Sequence, residues 1–427
     1  MTTVVVIGGG WAGSGAALAA KKAGADEVIV LERTDMLLGT GLVGGIMRNN
    51  GRFTATEEMI AMGGGDLFQI ADQVARHRNI EFPGHKHANL YDVALIEPAV
   101  RKHMLDKGIK IRFMARVKDV EAEGSSLKAV ITQDEERIAG DVFIEATGSA
   151  GPQGNCTKYG NGCAMCVYRC PTFGPRVSIA GKMGIEEKMG KKPDGSIGAM
   201  SGSCKLHKDS LSQEIQDMLN STGVAVIPIP EELRKGEDAL TKKACQQYAL
   251  KEFNENVILL DTGHAKLMTS YYPLDQLRKI PGFENARYED PYAGGIGNSM
   301  RYLALSPRDN ALKVKGADNL FCAGEKAGLL VGHTEAIITG TVAGNNAVRW
   351  ARKQELLEVP RELAIGEAIA YVNERMQTDE GMTKKYTFSG SVLFDRMKEM
   401  DLYTTDLDAI KVRVEKAGMK DIFARAV

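Results

Sequence analysis

Apolar and polar positions alternate in blocks along the first third of the chain. Val4-Val5-Val6-Ile7 is an unbroken apolar run of the kind that fills a parallel strand covered on both faces. A glycine cluster follows, and then an alanine-rich stretch over 13–23 that predicts a helix. A second apolar run at 28–31 ends in Glu32, which completes a strand–helix–strand unit. Residues 36–90 hold many glycines, including Gly63-Gly64-Gly65, and are expected to form loops and short helices around a ligand. The pattern predicts a helix over 92–107 and strands over 109–113, 117–120 and 142–145. Beyond 148 periodicity fades into a segment rich in Gly, Cys, Lys and Met up to about 204. Residues 208–256 read as mainly helical, interrupted by Val224-Ala225-Val226-Ile227. A last buried strand at 319–322 precedes a helix over 334–352, and the tail from Pro360 has a helical pattern. The fold class expected is α/β.

The 427 residues suggest roughly two to three domains. Composition is ordinary for a globular chain, 44% hydrophobic and 26% charged. Lys and Arg number 54 against 55 acids, so a broad nucleic-acid footprint is not expected. No basic, apolar leader opens the chain, and no run of about 18 apolar residues suits a membrane span. The expectation is a cytoplasmic protein that does not engage membranes.

Gly8-Gly9-Gly10-Trp11-Ala12-Gly13 fits G-x-G-x-x-G in its required setting, between a strand and a helix with an acid closing the next strand. Gly8 allows the tight turn, Gly10 lets backbone approach a pyrophosphate, and Gly13 lets helix and strand pack closely. The helix start offers unpaired N–H groups and a positive dipole end to phosphate. Glu32 is placed to accept hydrogen bonds from ribose hydroxyls. NAD and FAD share this fingerprint. Two later segments favour FAD. Gly140-Asp141-Val142-Phe143-Ile144-Glu145-Ala146-Thr147-Gly148 resembles the second signature of flavoproteins with two dinucleotide-binding folds, and Asn319-Leu320-Phe321-Cys322-Ala323-Gly324-Glu325 resembles their third. The resemblance implies that Glu325 binds near the ribityl or pyrophosphate, and that the helix after it points its N-terminus at the flavin N1 and O2 side. The expected cofactor contacts are Gly8, Gly10, Trp11, Ala12, Gly13, Glu32, Arg33, Val117, Thr147, Gly148, Gly324, Glu325 and Thr334.

Three segments together resemble the glucose-inhibited division protein A family and its folate-dependent tRNA methyltransferase relatives. They are the glycine motif with its alanine-rich helix, Leu277-Arg278-Lys279-Ile280-Pro281-Gly282-Phe283-Glu284-Asn285-Ala286, and the stretch from Asn319 through Gly332-His333-Thr334-Glu335-Ala336 to Gly340-Thr341-Val342-Ala343-Gly344-Asn345-Asn346-Ala347. The resemblance covers the cofactor scaffold. It implies a Rossmann-like two-dinucleotide-fold FAD domain built from 1–150 and 319–352, an inserted substrate domain over 151–318, and a short helical tail over 353–427. The chain departs from the family in two ways. Gly39-Thr40-Gly41-Leu42-Val43-Gly44-Gly45 lacks the cysteine of the corresponding loop, and with only a short helical tail the large tRNA-binding domain of the division-protein branch is not expected.

Four of seven cysteines crowd into Cys156, Cys163, Cys166 and Cys170, a C-x6-C-x2-C-x3-C pattern followed by Pro171. Four converging thiolates suit an iron–sulfur cluster, with zinc second. Cys163 and Cys166 alone would suit a redox disulfide exchanging electrons with flavin. A loop of free thiols is the third reading. His333, ahead of a helix expected to face the flavin, is the proton-transfer candidate. The leading expectation is therefore an FAD-dependent oxidoreductase acting on a small-molecule substrate or protein electron carrier, as a homo-oligomer. An RNA-modifying enzyme using folate or NAD(P)H, and a non-catalytic electron-transfer subunit, are the alternatives.

Overall fold

The structure is a computed structural model and describes residues 1–148, 176–192, 194–197, 199–200, 204–235, 250–269, 272–289, 300–301 and 303–427. Its centre is a five-stranded parallel sheet. The strands are β1 (Thr3–Ile7), β2 (Glu27–Leu31), β5 (Lys110–Arg112), β9 (Val142–Glu145) and β14 (Leu320–Cys322), in the order β14-β9-β1-β2-β5. The chain thus returns after a long excursion to place Leu320 beside Phe143 and Cys322 beside Glu145. β1 and β9 are almost wholly buried along their length, which is why they are mainly apolar and do not alternate. A three-stranded antiparallel sheet, β6 (Val117–Glu123), β7 (Ser126–Thr132) and β8 (Arg137–Ala139), lies between β5 and β9 in sequence.

Two helices start at the ends of central strands. α1 (Trp11–Lys22) follows β1, and α6 (His333–Ala351) follows β14. They pack with almost no side chain between them. A Cβ on Gly340 would sit 2.1 Å from the Ala12 carbonyl oxygen, and one on Gly344 would sit 2.1 Å from that of Ala16. Only glycine permits that approach, and it brings the two helix N-termini together at one end of the sheet.

The middle of the chain departs from the sequence reading. Residues 36–90 are more regular than the glycines suggested. They hold helices α2 (Gly51–Ala61) and α3 (Asp66–Gln73) and a hairpin of β3 (Ala75–Phe82) and β4 (His85–Tyr91), after which α4 (Ile96–Asp106) leads into β5. Register shifts along β3 break the two-residue alternation, and His87 and Asn79 adopt positive φ, so the hairpin leaves little periodic trace. Residues 208–256 were expected to be mainly helical, but only α5 (Gln213–Thr222) is a helix of any length among the described residues. The segment instead contributes to a four-stranded antiparallel sheet of β10 (Cys204–Leu206), β13 (Ala265–Leu267), β12 (Asn256–Asp261) and β11 (Val224–Pro228). The sheet has its own core, with Leu206, Leu219, Leu259 and Phe283 fully buried. Phe82 and Leu90 of the hairpin meet Ile258 and Leu260 in a second small core that ties this sheet to the first half of the chain.

The C-terminal stretch, α7 (Ala364–Arg375), α8 (Ser391–Glu399) and α9 (Leu407–Lys416), packs against α2 and the segment before α6. No described helix is long and apolar enough to cross a membrane.

Candidate functional site at the paired helix N-termini

Gly8 takes a φ of +104°, and a Cβ there would lie 2.4 Å from the Ala146 carbonyl oxygen. One on Gly13 would lie 1.8 Å from the Gly8 carbonyl. These two positions are closed by backbone. Gly10, the N-cap of α1, is different, because nothing lies within 4 Å of where its Cβ would point. The first turn of α1 carries no acid and no side-chain cap. A helix start that presents bare N–H groups to an open cradle is what a dinucleotide pyrophosphate requires, and these residues fit one. Glu32 is buried beside the cradle, where its carboxylate accepts from the Gly9 amide at 2.7 Å and the Thr34 amide at 2.9 Å. Arg33 next to it is half-buried, and Val117 is buried at the start of β6.

The second and third signatures meet below this loop. Glu145, fully buried, accepts from the Ile179 and Ala180 amides at 2.9 Å each and from the Thr147 hydroxyl at 3.1 Å. Lys326 reaches Glu145 at 3.3 Å and pairs closely with Glu187. Burial opposes the Lys326 charge, but the two carboxylates hold its pKa above the ordinary lysine value. Gly148, with a φ of +76°, has the Arg176 guanidinium beside it. Gly324 stands over Ala12 and donates its amide to the Thr339 hydroxyl at 2.9 Å, which locks the third signature onto α6. Arg308, buried, donates its guanidinium to the main-chain carbonyls of Ala327, Asp309 and Ile369. Burial pushes its pKa down to about 10.

His333 opens α6 and Thr334, fully buried, follows it. The imidazole sits against the glycine loop: a Cβ on Gly44 would strike it at 1.6 Å. Trp11, the first residue of α1, lies 6.0 Å from the His333 ring, centre to centre. The Tyr91 hydroxyl donates to the Gly41 carbonyl at 2.6 Å and lies 3.3 Å from His333 Nδ1. Because the phenol has one proton, that order puts the imidazole proton on Nδ1 and leaves Nε2 as the basic nitrogen of the neutral ring. Burial pushes the Tyr91 pKa up, so the phenol stays protonated. From the inserted sheet, buried Lys266 caps the same loop through the Val43 and Gly44 carbonyls, the first at 2.7 Å.

Sequence reasoning missed Tyr91, Lys266, Arg52 and Thr387. Arg52 holds Glu335 in the first turn of α6, and Thr387 joins them from the C-terminal stretch. Each is an ordinary residue in its local context and acquires a role only through partners far away in sequence. Arg48 and Asn50, beside Arg52 in the chain, adopt positive φ, and no sequence pattern announces it. The four clustered cysteines, Cys156, Cys163, Cys166 and Cys170, lie outside the described residues. Among the described residues no group of three or more His, Cys, Asp or Glu side chains could hold a metal ion.

The sequence model of the family described as "Glucose inhibited division protein A" matches residues 3–257 and 234–355. The chain belongs to this family of FAD flavoproteins. Curated relatives include the methylenetetrahydrofolate–tRNA-(uracil-5-)-methyltransferase TrmFO of Shouchella clausii, 34% identical over 114 residues, 26% of this chain and 25% of the relative. That of Enterococcus faecalis is 36% identical over 98 residues, 22% of this chain and 21% of the relative. The matched stretch therefore spans only about a quarter of either relative. Two crystal forms of Aquifex aeolicus GidA share the fold. Form II has a TM-score of 0.66 at 18% identity, covering 99% of this chain and 74% of that one. Form I has a TM-score of 0.59 at 15% identity, covering 97% and 78%. The family's Rossmann-like FAD scaffold accounts for the parallel sheet and for the paired N-termini of α1 and α6.

Proposed function

We propose that the chain is an FAD-dependent oxidoreductase that exchanges a hydride or electrons with a small-molecule substrate or a protein carrier. The observation that carries this reading is the meeting of a bare N-terminus on α1, open only at Gly10, with the histidine-bearing N-terminus of α6. In this reading the α1 start holds the pyrophosphate, Glu32 holds the adenosine ribose, and Gly324 and Glu325 serve the ribityl region. Thr334 and the first turn of α6 receive the pyrimidine end of the flavin. Bound FAD supplies the two-electron chemistry. The chain contributes position and protons: Tyr91 orients His333, and His333 Nε2 is the nitrogen that takes or returns a proton. In the same reading Cys163 and Cys166, outside the described residues, are the candidate second redox group.

The test is anaerobic. Purified protein should carry about one FAD per chain, undergo reduction by dithionite or a nicotinamide, and pass electrons to an added acceptor. Iron and zinc analysis, with Cys163→Ser/Cys166→Ser alongside, addresses the thiols. Failure to take up FAD on reconstitution sinks the proposal. A second reading, folate-dependent RNA modification, is favoured by the stretch shared with TrmFO proteins. Transfer of labelled carbon from methylenetetrahydrofolate to unmodified tRNA would put it ahead of the first.

A further inference from the structure

The first turn of α6 contains an acid, Glu335, whose side chain is fully buried. An acid is usual at a helix start, where it complements the dipole. Here the same helix start is the one assigned to the flavin, whose reduced form gathers negative charge at N1 and O2. An unbalanced carboxylate would oppose that charge. It is not unbalanced. Arg52 of α2, 283 residues earlier, places Nε 3.2 Å from both Glu335 oxygens, with a side chain only 6% exposed. Arg52 also donates to Asn49 Oδ1 at 3.2 Å, Thr387 Oγ1 at 3.0 Å and the Val331 carbonyl at 3.4 Å. Glu335 in turn accepts from Thr387 Oγ1 at 2.7 Å and the Phe388 amide at 2.8 Å. Gly332, the N-cap of α6, has no room for a Cβ because both charged groups stand 2.1 Å from where it would be. The pair is thus wedged against the helix start, and the C-terminal stretch is stitched onto it, with the Val331 amide donating to the Tyr386 carbonyl at 2.9 Å.

We infer that Arg52 and Glu335 are positioning residues that set the electrostatic potential at the N-terminus of α6 and thereby tune the reduction potential of the flavin held there. The inference rests on the FAD reading of the site. It has a signature that a purely structural pair lacks. Removing the carboxylate leaves a buried cation, which favours anionic reduced flavin. Removing the guanidinium leaves a buried anion, which disfavours it. The two single changes must move the flavin in opposite directions, although both weaken the fold.

The experiment uses the FAD-loaded full chain and reads the two-electron potential, the melting temperature and the affinity for sulfite, whose flavin adduct is anionic. Glu335→Gln should raise the potential and tighten sulfite binding about tenfold, and Arg52→Gln should lower the potential and weaken sulfite binding about tenfold. The double variant should return to within about threefold of the parent affinity, while both singles melt lower. Should Arg52→Gln not fold, Arg52→Lys keeps the charge and must leave sulfite affinity unchanged, while Glu335→Gln must still tighten it. Shifts of the same sign, or FAD-loaded variants with unshifted potential, overturn the inference and leave the cofactor reading intact. A parent chain that takes up no FAD removes both, and that is seen before any variant is made.

Discussion

The two helix starts at the heart of the molecule reach the same condition by different routes. α1 is prepared by omission: its first turn has no acid, no capping side chain and open space opposite Gly10. α6 is prepared by compensation, since its first turn carries the buried Glu335, which Arg52 neutralises from across the fold. A third helix start marks the limit of the comparison. α7 is plugged by the chain's own carboxylate, Glu58, which accepts from the Ala364 and Ile365 amides at 3.0 and 3.1 Å. All three termini have the same unsatisfied N–H groups and the same dipole. What separates a ligand site from a structural joint is which negative charge the surroundings leave them to find.

The largest effect expected is on the seam that brings the first two termini together. Gly340→Leu drives a side chain into the Ala12 carbonyl, and a loss of more than about 4 kcal/mol should leave little folded protein. Circular dichroism of the refolded material would show it, and a native melt would mean that the helices can part. Gly10→Leu should do the reverse, because its side chain enters open space. The apoprotein should melt near the parent temperature while FAD affinity falls more than about a thousandfold, or ~4 kcal/mol, by fluorescence titration. Undiminished binding would put the pyrophosphate elsewhere.

The plugged terminus gives a pH test. Burial pushes the Glu58 carboxyl up from 4.5 to about 7, outweighing the two backbone amides and Arg413 at 3.7 Å. The folded pKa is raised, so the protonated acid's contribution is fully present below about 4.5 and is lost as pH rises through about 7. That corresponds to at most ~3 kcal/mol. Urea midpoints of the parent should fall between pH 5 and 8 more steeply than those of Glu58→Gln; parallel slopes would show that the carboxylate is content where it is. The smallest effect belongs to Tyr91→Phe. It deletes the bonds to Gly41 and His333, costs about 1 kcal/mol, and should slow flavin reduction less than about tenfold while shifting its pH profile. An unmoved profile would separate Tyr91 from proton transfer.

The first terminus could be read almost whole from the chain, because its requirements are local. A strand, three glycines and an acid stand within some thirty residues, and each position has one steric reason. The two later signatures located β9 and β14 for the same reason. The compensated terminus was illegible beyond His333 and Thr334. Glu335 looks like any first-turn acid until Arg52 and Thr387 arrive, and they come from segments read as loop and as tail. The inserted sheet was misread because α5 has a strong helical pattern while β12 and β13 are short and pair with each other around a tight turn. Lys266, on β13, gains its meaning only by touching the Val43 and Gly44 carbonyls.

The pairing of β14 with β9 also sets a timetable. Phe143 emerges from synthesis long before Leu320, its neighbour in the finished sheet. At about 5–20 residues per second, the edge of β9 waits roughly 10–35 s for its partner. Throughout that interval a short, mainly apolar strand, Val142–Glu145, shows its unpaired backbone to the cell. α6 is made later still, so the cradle at Gly10 has no second wall while the nascent chain is at its most adhesive. FAD arriving early would find half a site, and a shortage of partners for that edge, more than any weakness of the mature fold, would decide how much protein survives its own synthesis.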